Sequence, residues 1–114
     1  MESSVSMKAL VMIVNAGFAE DVIEIARAAG VQGATVIKAR GEGARHESFM
    51  GITIDIDKEM ILSVVDEHVL EKVLESVKEK AGIKTLAHSI CFTMPVEKII
   101  GIGASKDEKE GKDD

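Results

Sequence analysis

The chain has no tryptophan and no tyrosine, and only three phenylalanines, one cysteine and one proline among its 114 residues. Each scarcity excludes something. Without Trp or Tyr there is no ready platform on which bases, sugars or single-stranded nucleic acid could stack. A single thiol, Cys91, cannot close an internal disulfide, and it has no second Cys with which to build a zinc site of paired ligands, so a reducing compartment is expected. Positive charge is also in deficit: the formal net charge is −6 and the pI about 5.1, the opposite of the basic face that nucleic-acid binding requires. The N-terminus lacks a basic region followed by an apolar core, and no apolar run approaches the ~18 residues of a membrane span. A cytoplasmic protein that does not itself span a membrane is therefore expected.

What is present is aliphatic. Hydrophobic residues make up 46% of the chain against 3% aromatics, so a core must be built from Val, Ile, Leu, Ala and Met. One domain over 1–104 accounts for this content. The tail from Ser105 to Asp114 carries no apolar residue and is expected to be disordered.

Read in order, Met7 to Val14 is nearly continuous aliphatic and suits a buried strand. Asn15-Ala16-Gly17 supplies turn chemistry. Phe18, Val22, Ile25, Ala26 and Ala29 then recur at helical spacing, with Glu20 and Asp21 at the positive end of the macrodipole and Gly30 as the stop. Thr35, Val36 and Ile37 mark a second strand within 33–39, and a polar, Gly-rich loop is expected over 40–51. Ile52 to Ile56 alternates with period two. Asp57-Lys58-Glu59 reads as a polar interruption, and Met60 to Val65 as another buried strand. Asp66 is a candidate N-cap for a second helix, whose apolar stripe is Val69, Leu70, Val73, Leu74 and Val77 and which Gly82 closes. A connector over 83–87 leads to a fourth strand over 88–94, stopped by Pro95. Residues 96–102 suit a short helical turn or an edge strand. The order β-α-β-β-α-β with two amphipathic helices predicts an α+β, ferredoxin-like sandwich: one antiparallel sheet with both helices on one face. The strands are apolar on both sides, so the uncovered face is expected to pack against other copies of the chain.

No catalytic constellation is present. Ser48 and Ser63 lie in no Gly-x-Ser-x-Gly and have no partnered His and Asp, and Cys91 sits in an apolar strand without a neighbouring base. A non-enzymatic chain is expected. Among the histidines, His68 in the first turn of a helix reads as a surface residue. His88, opening a strand, reads first as a hydrogen-bonded structural group. His46, Glu47 and Asp55 are the residues a metal site would use, which is the alternative function: a metal-binding or assembly trimer of the divalent-cation-tolerance kind.

The run Gly30-Val-Gln-Gly-Ala-Thr-Val, followed by Lys38-Ala-Arg-Gly-Glu-Gly43, resembles the nitrogen regulatory PII proteins. There the second strand runs Gly-x-x-Gly-Met-Thr-Val and continues into Lys-Gly-Phe-Gly. Val64-Val-Asp-Glu67 and Val96-Glu-Lys-Ile-Ile-Gly-Ile102 are similar to later pieces of the same family in the same order, so the resemblance covers about 7–103. It implies a homotrimer of ferredoxin-like protomers. It also implies adenine nucleotides (ATP, ADP, AMP or cyclic AMP) as candidate effectors in the clefts between subunits. A signalling loop, here 42–58, would act on a membrane transporter or metabolic enzyme. By motif, Thr35, Gly41, Gly43 and Val64 match cleft positions, with Ile13 beside them on the first strand. Gly41 and Gly43 would let the backbone approach a ligand. Arg40, Arg45, Lys84, His88 and Ser89 are the candidates to meet phosphate oxygens.

The chain also departs from the pattern. The segment after the second helix keeps only Gly82 of the family's glycines. The Arg-x-Arg pair near the C-terminus corresponds to Gly101-Ile-Gly103. Each lost cation removes a charge-assisted contact worth ~1.5–3 kcal/mol, so weakened triphosphate binding is expected unless Arg40, Arg45 or Lys98 substitutes. The signalling loop is shorter than the family's, and Phe49 stands where the family has a modifiable tyrosine.

Overall fold

The computed structural model describes residues 6–41, 47–49, 52–54 and 56–101. Gly43, Arg45, His46, Asp55 and the charged tail lie outside the described residues.

Among the described residues, eight elements follow one another: β1 (Met7–Asn15), α1 (Ala19–Ala28), β2 (Thr35–Gly41), β3 (Glu47–Phe49), β4 (Ile52–Ile54), β5 (Ile56–Asp66), α2 (Glu67–Ala81) and β6 (Ile90–Pro95). Four strands form one sheet in the order β2-β5-β1-β6, every neighbouring pair antiparallel, and β3 pairs with β4 in a separate two-stranded ribbon. Set that ribbon aside and the chain is the expected β-α-β-β-α-β sandwich.

The period of two sorts each strand between the faces. Leu10, Met12 and Val14 of β1, with Ile61 and Val65 of β5, point to one side and are buried against Val22, Ile23 and Ala26 of α1 and Val73, Val77 and Ala81 of α2. Both helices therefore cover the same face. Ser63, on this buried row of β5, is satisfied because its hydroxyl donates to the Gly33 carbonyl at 2.8 Å.

The helix ends follow their sequence signals. Gly30 takes φ +127°, its N–H bonds the Arg27 carbonyl, and the N–H of Val31 reaches back to Ala26. That is the paired closure of a helix stopped by a left-handed residue. Asp66 caps α2, its carboxylate accepting from the His68 N–H at 2.8 Å. Gly82 ends α2 for a different reason than a left-handed cap. Its backbone is extended, with φ −74°, but a Cβ there would lie 2.4 Å from the Lys78 carbonyl oxygen.

Three expectations are corrected. Asp57-Lys58-Glu59 does not interrupt anything: β5 runs through it, with Lys58 opposite Asn15 of β1 and Ala39 of β2. The triplet stays in the ladder because the side chains of Lys58 and Glu59 find partners at the end of the sheet, and the Asp57 carbonyl accepts from the Ala16 N–H. Lys58 Nζ donates to Asn15 Oδ1 at 2.7 Å, and Glu59 Oε1 accepts from the N–H groups of Gly17 and Ala19. The stretch 40–51 is not all loop, since β2 extends to Gly41 and Glu47–Phe49 forms β3. Nor do residues 96–101 form a helical turn or a strand.

Candidate functional site

The face of the sheet away from the helices is apolar in every strand. By register it carries Ile90, Phe92 and Met94 of β6, Ala9, Val11 and Ile13 of β1, Met60, Leu62 and Val64 of β5, and Thr35 and Ile37 of β2. No described helix lies on it. Ile37, Leu62, Ile90, Phe92 and Met94 are each between 37% and 49% exposed, whereas Val11, flanked by Leu62 and Phe92 in one row, is 4% exposed. Large side chains standing half out of a flat face over a covered centre form an apolar patch of the kind that marks an interaction surface.

Three of the expected site residues, Ile13, Thr35 and Val64, lie on this open face by register. Arg40 and Gly41 lie at the far end of β2, opposite Asp57 and Ile56. Gly41 is closely covered: a Cβ on it would meet Cγ of Lys58 at 3.1 Å and Cε at 3.2 Å. The lysine stem thus lies along the glycine, and any side chain at 41 would displace it.

Lys84, His88 and Ser89 belong to the segment joining α2 to β6, at the same end of the sheet as Lys58 and Asn15. This segment is folded on itself. Thr85 donates through both its N–H and its hydroxyl to the Gly82 carbonyl, His88 N–H donates to the Thr85 carbonyl, and Ser89 N–H returns to Ala81 of α2. His88 takes φ +50°, a left-handed value uncommon for a residue with a Cβ. Its Nδ1 lies 3.0 Å from the Ile83 carbonyl oxygen. A carbonyl only accepts, so Nδ1 carries the proton and Nε2 is left to bind elsewhere. Lys84 is exposed, whereas Ser89 is 7% exposed and its buried hydroxyl has no hydrogen-bond partner. Ile83 and Leu86, 64% and 79% exposed, give the segment an apolar tip.

Two residues that join these pieces were not singled out from the sequence. Asn15 looked like turn chemistry and Lys58 like part of a polar break. Asn15 N–H donates to the Ala87 carbonyl, its Nδ2 donates to the Leu86 carbonyl at 2.9 Å, and its Oδ1 receives Lys58. The only local signal was a lysine flanked by two carboxylates inside an otherwise aliphatic strand; the partner at position 15 is a long-range fact.

Among the described residues no group of three or more His, Cys, Asp or Glu side chains is placed to hold a metal ion. His46 and Asp55, and the side chain of Glu47, which the alternative metal reading would need, lie outside the described residues. Cys91 is half-buried, and burial pushes its thiol up from the ordinary value, which suits an inert core group better than a nucleophile. No described helix is long and apolar enough to cross a membrane.

The nitrogen regulatory protein P-II family matches residues 7–106, nearly the whole chain. The chain belongs to the P-II family. Two solved structures agree in fold. One, a PII-like signalling protein of Thermus thermophilus, has a TM-score of 0.62 and 21% identity, with 81% of this chain and 88% of that one covered. The other is a nitrogen regulatory PII-like protein of Thiomonas intermedia, bound to ADP, AMP and bicarbonate. It has a TM-score of 0.60 and 20% identity, with 83% of this chain and 97% of that one covered. No curated protein matches the chain. Membership places this P-II chain among signalling regulators. The β3–β4 ribbon falls in the stretch where the resemblance puts the family's signalling loop, and the 82–89 segment where it puts the second phosphate-binding segment.

Proposed function

We propose that this P-II chain is a non-enzymatic signal-transduction protein that assembles as a homotrimer and binds a small effector between subunits. An adenine nucleotide is the first candidate. Changes in the 42–58 segment then alter its hold on a partner, a membrane transporter or a metabolic enzyme. The observation that carries the reading is the open sheet face, apolar in all four strands of a chain whose family signals. Packing copies of that face together removes the patch from water and leaves the ends of the sheets, with Gly41, Lys58 and the 82–89 segment, at the seams between subunits. Thr35, Ile13 and Val64 would line the near wall of such a seam, and Lys84 and His88 would reach across it. Gly43 and Arg45, in the adjoining loop, are proposed to complete the phosphate contacts, with Arg40 and Ser89 as further candidates. A ligand that favours one arrangement of the 42–58 segment shifts partner binding only by its differential affinity for the arrangements.

The test is isothermal calorimetry of the full chain with ATP, ADP, AMP and cyclic AMP, alongside light scattering for the assembly. Saturable heat with at least one nucleotide, one per subunit in a trimer, is the expected result. A trimer that gives no heat with any of the four refutes the nucleotide part of the reading. A monomer refutes the site itself. ATP is expected to bind no more tightly than ADP, because two arginine positions of the family stand as Gly101 and Gly103.

A further inference from the structure

Two segments with different proposed tasks meet at one amide side chain. Asn15 sits at the end of β1, opposite Lys58 across the β1–β5 ladder. Its Oδ1 accepts from Lys58 Nζ at 2.7 Å and its Nδ2 donates to the Leu86 carbonyl at 2.9 Å. The partners dictate this orientation. An ammonium can only donate and a carbonyl can only accept, so turning the amide over would set NH2 against NH3+ and oxygen against oxygen. The Lys58 stem in turn lies against Gly41, where β2 ends and the 42–56 stretch begins.

We propose that Asn15 is a positioning residue: a two-ended latch through which the place of Lys58 at the foot of the 42–56 stretch sets the place of the 82–89 segment. Its purpose as a signalling link rests on the proposed function; the mechanical link does not. The physical basis is that each end of the latch needs the other. Lys58 holds the carbonyl oxygen of the amide and so keeps Nδ2 aimed at Leu86. Apart from the backbone bonds of Asn15 N–H to the Ala87 carbonyl and of Ser89 N–H to Ala81, the segment it holds is closed on itself through Thr85 and His88. It carries a left-handed His88, a conformation that persists only when its surroundings over-determine it. Freeing Lys58 lets the amide rotate, and the 82–89 segment then loses a tie to the sheet without any change in its own residues.

Hydrogen–deuterium exchange on the ligand-free full chain tests this. Lys58→Met keeps the stem over Gly41 and removes the donor. Asn15→Asp keeps the Lys58 contact as an ion pair and turns the Leu86 donor into a repelling oxygen. Loss of one such hydrogen bond should speed exchange of the Thr85 and His88 amides by about three- to tenfold. Both variants are expected to show this, Lys58→Met even though residue 58 has no hydrogen bond to residues 83–88. Asn15→Asp should leave exchange over 56–60 unchanged. If Lys58→Met leaves Thr85 and His88 at the parent rate, the latch is refuted, whatever Asn15→Asp does. If Asn15→Asp does not fold, as read by circular dichroism, Lys58→Met and a Lys58→Arg control expected to retain parent exchange decide the question alone. No ligand is present in these measurements, so their failure is distinct from a failure of nucleotide binding.

Discussion

Replacing Phe92 on the open face separates assembly from folding. Its ring is 46% exposed and projects away from the helix-covered core, in the row it shares with Val11 and Leu62. Fully burying a side chain of this size is worth up to ~3 kcal/mol, so covering the exposed half contributes about 1–1.5 kcal/mol per copy. Phe92→Ala would then cost a trimer roughly 3–4 kcal/mol, or between two and three decades in the assembly constant. Because three chains combine, the midpoint concentration moves as the square root of that constant, giving a shift of about ten- to thirtyfold at ~1.4 kcal/mol per decade. Phe92→Glu acts more strongly, since each unpaired carboxylate carried into the interface costs several kcal/mol. Sedimentation velocity over a concentration series reads both effects. The parent is expected as a trimer, Phe92→Ala as the same species formed at higher concentration, and Phe92→Glu as a folded monomer with unchanged far-ultraviolet circular dichroism. Phe92→Glu assembling to the parent mass at the parent midpoint would refute the assignment of this face to self-association.

Other substitutions probe the parts that hold the site in place. Asp66→Ala removes the α2 cap and should cost about 1 kcal/mol in urea unfolding. The His68 backbone N–H, and after it the His68 ring, hold the Asp66 carboxyl below the usual carboxylate range. A carboxyl that is more acidic when folded stabilises above its unfolded pKa, and the contribution fades as pH falls through the folded value. Asp66→Asn should therefore keep the cap near neutrality and lose less stability than the parent on acidification below about pH 4. Gly30→Ala puts a Cβ into a residue at φ +127° and 3.1 Å from Cβ of Val69. A loss of about 2–3 kcal/mol is expected from the backbone strain and the contact together; a loss under about 0.5 kcal/mol would show that the two helices move apart freely. Cys91, half-buried with its thiol pushed up by burial, should react with iodoacetamide at pH 8 at least about tenfold more slowly than a free thiol, and at the free rate in urea.

The elements that the sequence exposed were those whose causes are local. α1 announces itself by its apolar spacing and by Gly30, α2 by Asp66 and its stripe, and the open face by strands that are apolar on both sides. What stayed hidden depended on contacts across the chain. Lys58 and Glu59 belong in a strand only because Asn15 and the first turn of α1 stand ready to receive them, and no window of sequence contains both halves of that arrangement. For Gly82 the position was evident and the cause was not, because the reason is the carbonyl of Lys78, which becomes visible only once the chain has bent away from the helix. Of the expected site residues, Ile13, Thr35 and Val64 are placed by strand alternation. Asn15, on which the geometry converges, carries no motif.

The cap on α1 bears on how the protein folds. Phe18, at the N-cap position, offers no side-chain hydrogen bond, and the first turn is instead finished by Glu59, which lies 40 residues away from Ala19. A ten-residue helix is short for independent stability, and this one lacks the usual local help at its start. The free donors of α1 acquire their acceptor when β5 has come alongside β1. The carboxylate thus makes the completed first turn a product of sheet formation, so α1 should consolidate late, with β5 in place, while α2 carries its own cap and can form ahead of it.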